Sequence, residues 1–137
     1  MLLSAVMDEL GIALDTIDGL RVYPYNAEKV MPPAAVVGWP DPLVYDATYG
    51  RGGDRVTMPL VVVVGRLDAR TTRDRLAKYL DGTGAASVKA TLESDDRIYT
   101  AFDSVRVTEA RVLAYTIAGT DYFGAEFTLD IIGRGGA

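Results

Sequence analysis

The sequence predicts an α+β fold: a mostly antiparallel or mixed β-sheet with a C-terminal β-hairpin, packed by two main helices and one short helix. Two patterns carry this prediction. Apolar and polar residues alternate near the C-terminus, which is typical of half-buried strands, and the apolar set there is Phe123, Ala125, Phe127, Leu129 and Ile131. Apolar residues recur every three or four positions through residues 2–17, which is typical of a helix with one buried face.

Glycine and proline mark the boundaries of the N-terminal elements. The helical stripe over residues 2–17 consists of Leu3, Val6, Leu10, Ala13, Leu14 and Ile17. Gly19 ends this helix, and Arg21-Val22-Tyr23 begins a strand that Pro24 must stop or leave at a sheet edge. Ala34-Ala35-Val36-Val37 is apolar enough for a second short strand.

Residues 55–66 predict a third strand, with Val56, Met58, Leu60, Val62 and Val64 on one face. The other face also becomes apolar toward the end, which indicates a strand covered on both sides. Pro59 cannot donate a ladder hydrogen bond, so it requires a bulge or a missing neighbouring strand at that point.

Two further helices are predicted. Asp68 is a candidate N-cap for a helix that runs to Leu80 and stops at Gly82. Its buried edge is Leu76, Tyr79 and Leu80, and its other face is basic, with Asp74 placed to pair with Arg70 and Lys78. A shorter helix spans residues 86–93.

The C-terminal third predicts strands at residues 104–108, 113–117 and 123–131, with a turn over residues 118–121 that closes the last two into a hairpin. Gly133-Arg134-Gly135-Gly136-Ala137 is too rich in glycine to be ordered alone. We therefore expect one α+β domain over residues 1–132 and a flexible tail over residues 133–137.

The composition limits the chemistry. The 137 residues include no cysteine and no histidine, which excludes disulfides and thiolate sites and removes the commonest general base. We therefore expect a protein that is not an enzyme and holds no cofactor and no metal. The net charge of -5 argues against a general phosphate-binding surface. Without a signal peptide or a long apolar run, a soluble protein made in a cytoplasm is expected.

Three possible binding motifs have simpler explanations. Gly50-Arg51-Gly52-Gly53 matches neither common phosphate-loop pattern and precedes a strand, so it is interpreted as a loop tip. The aspartates at 41, 46, 54, 95 and 96 form no cation-binding loop pattern and are interpreted as solvated loop residues, with Asp95-Asp96 serving as a cap or turn. The basic helix face is interrupted by Asp74, which favours an acidic protein partner over DNA.

Residues 38–54 predict a long loop, and long loops in small domains are often functional. Trp39, Tyr45 and Tyr49 are large apolar surfaces that this loop cannot bury by itself. Aromatic residues are enriched at protein interfaces. Two interpretations remain open: the rings contact a partner, or they fold back over the sheet.

The order of these elements resembles the tail terminator proteins of long-tailed (siphovirus-type) bacteriophages. The resemblance covers most of the chain and is one of pattern and length, with no invariant motif. The segments that carry it are Ile17-Asp18-Gly19 at the end of the first helix, the strand from Met58 to Gly65 with Asp68-Ala69-Arg70 after it, Ser87-Val88-Lys89-Ala90-Thr91-Leu92-Glu93, and Tyr122-Phe123-Gly124-Ala125-Glu126-Phe127.

The resemblance implies a structural virion protein that is assembled in the host cytoplasm. It implies a homohexameric ring on the head-proximal end of the tail tube, where it stops tube growth and provides the head-tail joining surface. The implied partners are other copies of the chain, the major tail tube protein and a head-completion or neck protein, with DNA passing through the lumen without specific binding and no membrane contact. A neck or head-completion (head-tail connector) protein and a soluble protein-binding adaptor remain alternatives.

Within this interpretation, two groups of residues are candidate contacts. The long loop offers Tyr45, Tyr49, Arg51 and Arg55 for ring contacts, beside Trp39. The basic helix offers Arg73 and Lys78 for the boundary between subunits.

Overall fold

The computed structural model describes residues 1–24, 31–45, 53–66, 69–117 and 119–134, and for Ile117 the backbone alone. It confirms the predicted α+β fold class. The elements in chain order are α1 (Leu3–Leu14), β1 (Arg21–Tyr23), β2 (Ala34–Val37), β3 (Leu43–Val44), β4 (Gly53–Arg66), α2 (Arg70–Leu80), α3 (Val88–Leu92), β5 (Ser104–Ile117) and β6 (Thr120–Arg134).

The described strands form one mixed sheet in the order β1-β2-β4-β6-β5, and β3 also pairs with β4. β1 runs parallel to β2, and all the other pairs are antiparallel. β4 is the centre of the sheet because β6 pairs along nearly its whole length on one side, while β2 and β3 share the other side.

The core lies between one face of the sheet and the three helices. The predicted inward residues of β4 are all buried, and they meet the inward residues of β6 in register, as Met58 with Leu129 and Leu60 with Phe127. The predicted stripe of α1 is also buried, apart from Leu3, which packs at the margin of the core. Leu76 and Tyr79 of α2 and Val88 and Leu92 of α3 complete the same cluster.

Pro59 occupies a gap in the sheet. β2 ends opposite Leu60, and β3 begins opposite Val56, so no strand of the described chain faces Pro59 on that side. The N–H of Gly38 donates to the carbonyl of Pro59 at 2.9 Å, so the proline loses no ladder partner. Of the two predicted explanations for this proline, the missing neighbour is the correct one; the β4 bulge lies later, between Val63 and Gly65.

Several element boundaries differ from the prediction. The expected loop over residues 38–54 contains β3, because Leu43 and Val44 pair with Val56 and Arg55. The two strands predicted at residues 104–108 and 113–117 are one strand, since an irregularity between Val107 and Glu109 lets the ladder continue. β6 extends to Arg134, two residues into the predicted tail, and residues 135–137 lie outside the described chain.

The starts of the two later helices also differ. α2 has Ala69 as its N-cap residue with no side-chain cap, and the predicted cap Asp68 lies outside the described residues. α3 is shorter than predicted and is capped by Ser87, whose Oγ accepts a hydrogen bond from the N–H of Ala90 at 3.0 Å. Both helices place their apolar residues on the sheet as expected.

Candidate assembly surface

β5 lies at the edge of the sheet, and its two halves have different surroundings. In the near half, residues 104–107, two side chains of the α3 segment bind the outward backbone groups of Val107. The N–H of Val107 donates to Glu93 at 3.4 Å, and its carbonyl accepts from Lys89 at 3.2 Å. Lys89 and Glu93 form a salt bridge at 2.5 Å. Backbone pairing by another strand is therefore blocked at this point.

The far half of β5, residues 109–117, pairs with β6 alone among the described residues. Residues 109–114 are all exposed, and they include Val112 at 53% and Leu113 at 40%. Because consecutive strand residues point to opposite faces, these two side chains leave an apolar group on each side of the edge. A long edge strand with exposed apolar residues is a template for pairing with another chain.

Tyr115 marks the outer face of this hairpin. Its ring covers Gly124 of β6, where an added Cβ would lie 2.9 Å from Tyr115 Cε2 and 2.3 Å from the carbonyl oxygen of Val62. The Tyr115 hydroxyl is buried, and within the described chain it has no hydrogen-bond partner. Burial and, second, the charge of Glu126 raise the pKa of Tyr115, which keeps the phenol neutral.

The predicted aromatic residues lie at another edge of the sheet. Trp39 is 63% exposed and Tyr45 is 70% exposed, so neither ring is folded over the sheet in the isolated chain. Val44, also exposed, lies opposite Arg55 in the ladder. Tyr45 and Arg55 therefore belong to the same corner of the molecule. Tyr49 and Arg51, which were predicted to join them, lie outside the described residues.

Arg55 is bound within its own chain. Its Nε donates to Asp130 Oδ1 at 2.8 Å and its Nη2 donates to Oδ2 at 2.6 Å, which is a bidentate pair between β4 and β6. The hydrogen bond from Arg55 is the main reason that the pKa of Asp130 lies below its ordinary value, and the pKa of Arg55 is raised in turn. A partner that binds Arg55 must compete with this pair.

We call the corner that holds Trp39 and Tyr45 the aromatic corner. Arg73 and Lys78 lie apart from it. α2 begins after the far end of β4, and about 36 Å of extended strand separates Arg55 from Arg66 at a rise of about 3.3 Å per residue. Arg73 binds the neighbouring Asp74 at 2.9 Å. The predicted pairs of Asp74 with Arg70 and Lys78 do not form among the described residues; Nε and Nη2 of Arg73 both bind Asp74 Oδ1 instead.

Sequence reasoning missed the far half of β5 and two exposed isoleucines, Ile12 and Ile98, which are 69% and 90% exposed. A signal for the first existed: Val112-Leu113 places two apolar residues side by side in an alternating strand, so one of them must face outward. Ile12 carried a weaker signal, because it falls off the buried stripe of α1.

No protein-family model matches the chain, and no curated protein matches it. In the part of the chain that the structure describes, no helix is both long enough and apolar enough to cross a bilayer. In the same residues, no three acidic side chains gather where they could share a metal ion.

Proposed function

We propose that this chain is a self-assembling structural protein whose function is carried by surfaces rather than by a catalytic site. The observation that carries the proposal is the far half of β5, an exposed edge with apolar side chains on both faces. Soluble proteins usually protect such an edge with charge, a short strand or a covering element. Here Lys89 and Glu93 cover the near half at Val107, and Glu109 and Arg111 place charge at the start of the far half. The apolar stretch from Val112 onward is therefore the open part of the edge among the described residues.

Within this class, the proposed protein is a tail terminator of long-tailed bacteriophages. In that role it forms a hexameric ring on the head-proximal end of the tail tube, stops tube growth and presents the surface that joins the head. Its partners are other copies of itself, the tail tube protein and a neck protein, and DNA passes through the ring. The support is the resemblance in element order, together with an α+β fold whose helices cover one face of the sheet.

The physical features suit a ring. A closed ring of identical subunits needs two different, complementary surfaces on each copy. The chain exposes apolar groups at separate places, on the β5 edge and at Trp39 and Tyr45. A net charge of -5 also favours a channel through which DNA moves without binding.

The exposed Trp39 and Tyr45 also favour a second candidate, a soluble adaptor that uses this aromatic corner on another protein. A neck or head-completion protein would use the same surfaces one level higher in the virion. Mass in solution separates the ring from the adaptor, because the adaptor has no need to self-associate.

The test uses purified tail tubes and the full chain. We expect the wild-type protein to form rings by native mass spectrometry and to cap one end of each tube in electron micrographs. The double variant Trp39→Ala with Tyr45→Ala should keep the melting temperature, because both rings are exposed, and should reduce ring formation or capping. A wild-type chain that stays monomeric and also leaves the tubes uncapped would overturn the proposal.

The interpretation of Trp39 and Tyr45 as contact residues has its own control. Leu43→Ala changes a neighbouring side chain that packs against the core, so it should lower the melting temperature. If the aromatic double variant lost as much stability as Leu43→Ala, the two rings would have a structural role rather than a contact role.

A further inference from the structure

An exposed apolar patch with an acidic rim lies on the outer side of α1. Asp8, Ile12 and Asp15 are spaced by four and three residues, so they lie along one exposed stripe of the helix. Ile98, from the segment between α3 and β5, lines the same surface depression as Ile12, together with Asp96. We name these five residues the α1 patch: Asp8, Ile12, Asp15, Asp96 and Ile98.

Two open depressions flank Ile12 on this side of α1. Ile12 borders two depressions, of about 280 Å³ beside Ile98 and about 450 Å³ beside Asp8 and Asp15. Removing apolar surface from water is favourable, so two neighbouring exposed isoleucines can stabilise a contact that covers them.

Other groups of the chain hold this patch in place. Arg97 donates to the carbonyl of Thr91 at 2.8 Å and to Thr16 Oγ1 at 2.7 Å. Glu9 accepts hydrogen bonds from the backbone of Thr100 and Ala101, each at 2.9 Å. Arg97 and Glu9 carry opposite charges, so the surface is acidic on balance because of Asp8, Asp15 and Asp96, which form no salt bridge within the described chain.

The complementary surface is on α2 of the same chain. Arg70, Arg73, Arg75 and Lys78 are all exposed, and Asp74, the one acidic residue of the helix, is taken by Arg73. Ala77 is exposed between Arg73 and Lys78, and its small side chain leaves room for a larger apolar group. Although Asp18 and Asp74 line a depression beside Arg75 and Lys78, the four cations make this surface basic on balance.

We propose that the α1 patch of one copy binds α2 of a second copy of this chain. Charge complementarity argues for this occupant, because three unpaired carboxylates face a set of exposed cations, and Ile12 or Ile98 can pack on Ala77. The two surfaces differ, so each copy can use both at once, and repeated contacts of this kind close into a ring or continue as a filament. The inference rests on the proposed self-assembly and specifies one of its contacts.

The experiment exchanges the charges. Variant one is Arg73→Glu with Lys78→Glu, and variant two is Asp8→Lys with Asp15→Lys. Each variant alone brings like charges together, so each should self-associate about a hundredfold more weakly or worse, measured by sedimentation and native mass spectrometry. An equal mixture should assemble again, with the two variants strictly alternating, because each then meets its opposite charge.

Controls keep the result interpretable. All four changed residues are exposed, so the melting temperatures should stay near the wild-type value. Arg73→Lys with Lys78→Arg conserves the charge and should assemble like the wild type. Ile12→Ser tests the apolar part without any change of charge, and it should weaken assembly of the wild-type chain.

The outcomes separate this contact from the proposed function. Variants that assemble as the wild type does, or a mixture that fails to recover, would overturn the contact and leave ring formation through β5 standing. The same would follow if the α1 patch bound only a lysine-rich peptide and not α2. If the mixed variants assemble again but the assembly does not limit the length of tail tubes, the contact would stand and the terminator role would be overturned.

Discussion

The near and far halves of β5 belong to one strand and pair with the same partner strand, yet they differ in what covers them on the other sides. Val107 is 7% exposed beneath α3, whereas Val112 is 53% exposed five residues later. The backbone of Val107 is bound by Lys89 and Glu93, while no described side chain closes the edge beyond Glu109. The difference teaches that burial and edge protection, and not strand pairing alone, distinguish the core from the open edge of this sheet.

The largest expected effect comes from comparing a leucine-to-alanine substitution in the core with the same substitution on the open edge. Leu129→Ala removes a fully buried side chain that lies opposite Met58 and Val107, and it should cost about 3 kcal/mol of unfolding free energy. Leu113→Ala on the far half should cost less than about 0.5 kcal/mol. Urea unfolding of both variants measures the comparison. Similar losses would mean that the far half is part of the core.

A smaller effect compares the same residue on the same strand. Val107→Ala should cost about 2 kcal/mol, because it removes buried methyl groups and leaves a cavity under α3. Val112→Ala should leave the unfolding free energy nearly unchanged and should weaken self-association instead. Thermal melts measure the stability of both variants, and analytical ultracentrifugation measures their self-association. If Val112→Ala assembled normally, the far half of β5 would not be a contact between copies.

The smallest effect depends on pH and concerns the segment that leads into the near half. Burial opposes ionisation of Glu9, but hydrogen bonds from Thr100 and from the backbone of Ala101 and Thr100 outweigh it and lower its pKa. A lowered folded-state pKa contributes stability that is present above the unfolded pKa and is lost as the pH falls through the folded value. Glu9→Gln should therefore cost about 1 kcal/mol at neutral pH, kept modest by solvent exposure.

This difference should shrink as the pH falls through and below the usual glutamate range, near about 4.3. Melting temperatures of wild type and Glu9→Gln between neutral and acidic pH measure it. Glu109→Gln, on the exposed far half, is the matched control and should show little difference at any pH. A constant gap between wild type and Glu9→Gln across the range would show that the hydrogen bonds to Glu9 do not depend on its charge.

Much of the fold could be predicted because the alternation of side chains is local information. The inward face of β4 and the set Phe127, Leu129 and Ile131 follow from a period of two, and both are buried. β5 was divided into two predicted strands because Thr108-Glu109-Ala110-Arg111 breaks that period with polar residues. In the structure these residues remain in the ladder with one irregularity, which only the partner strand determines.

The candidate site was less predictable because it depends on distant neighbours. The exposure of Trp39 and Tyr45 was one of two open interpretations, since no local rule decides what covers a ring. Arg55 was assigned to a contact between copies, but Asp130, 75 residues away in sequence, takes its guanidinium group. The open edge of β5 required the strand order, which no pattern within one strand contains.

The irregularity in β5 carries one more consequence. Val107 lies opposite Leu129 and Glu109 opposite Thr128, so Thr108 is the extra residue. A chain without Thr108 would keep every partner pair, because the residues on either side already face successive positions of β6. A bulge bends its strand and increases the local twist, so the deletion would turn the far half to a new direction. If copies pair along this edge as proposed, this inserted residue would change the angle between them, and that angle would decide how many copies close a ring.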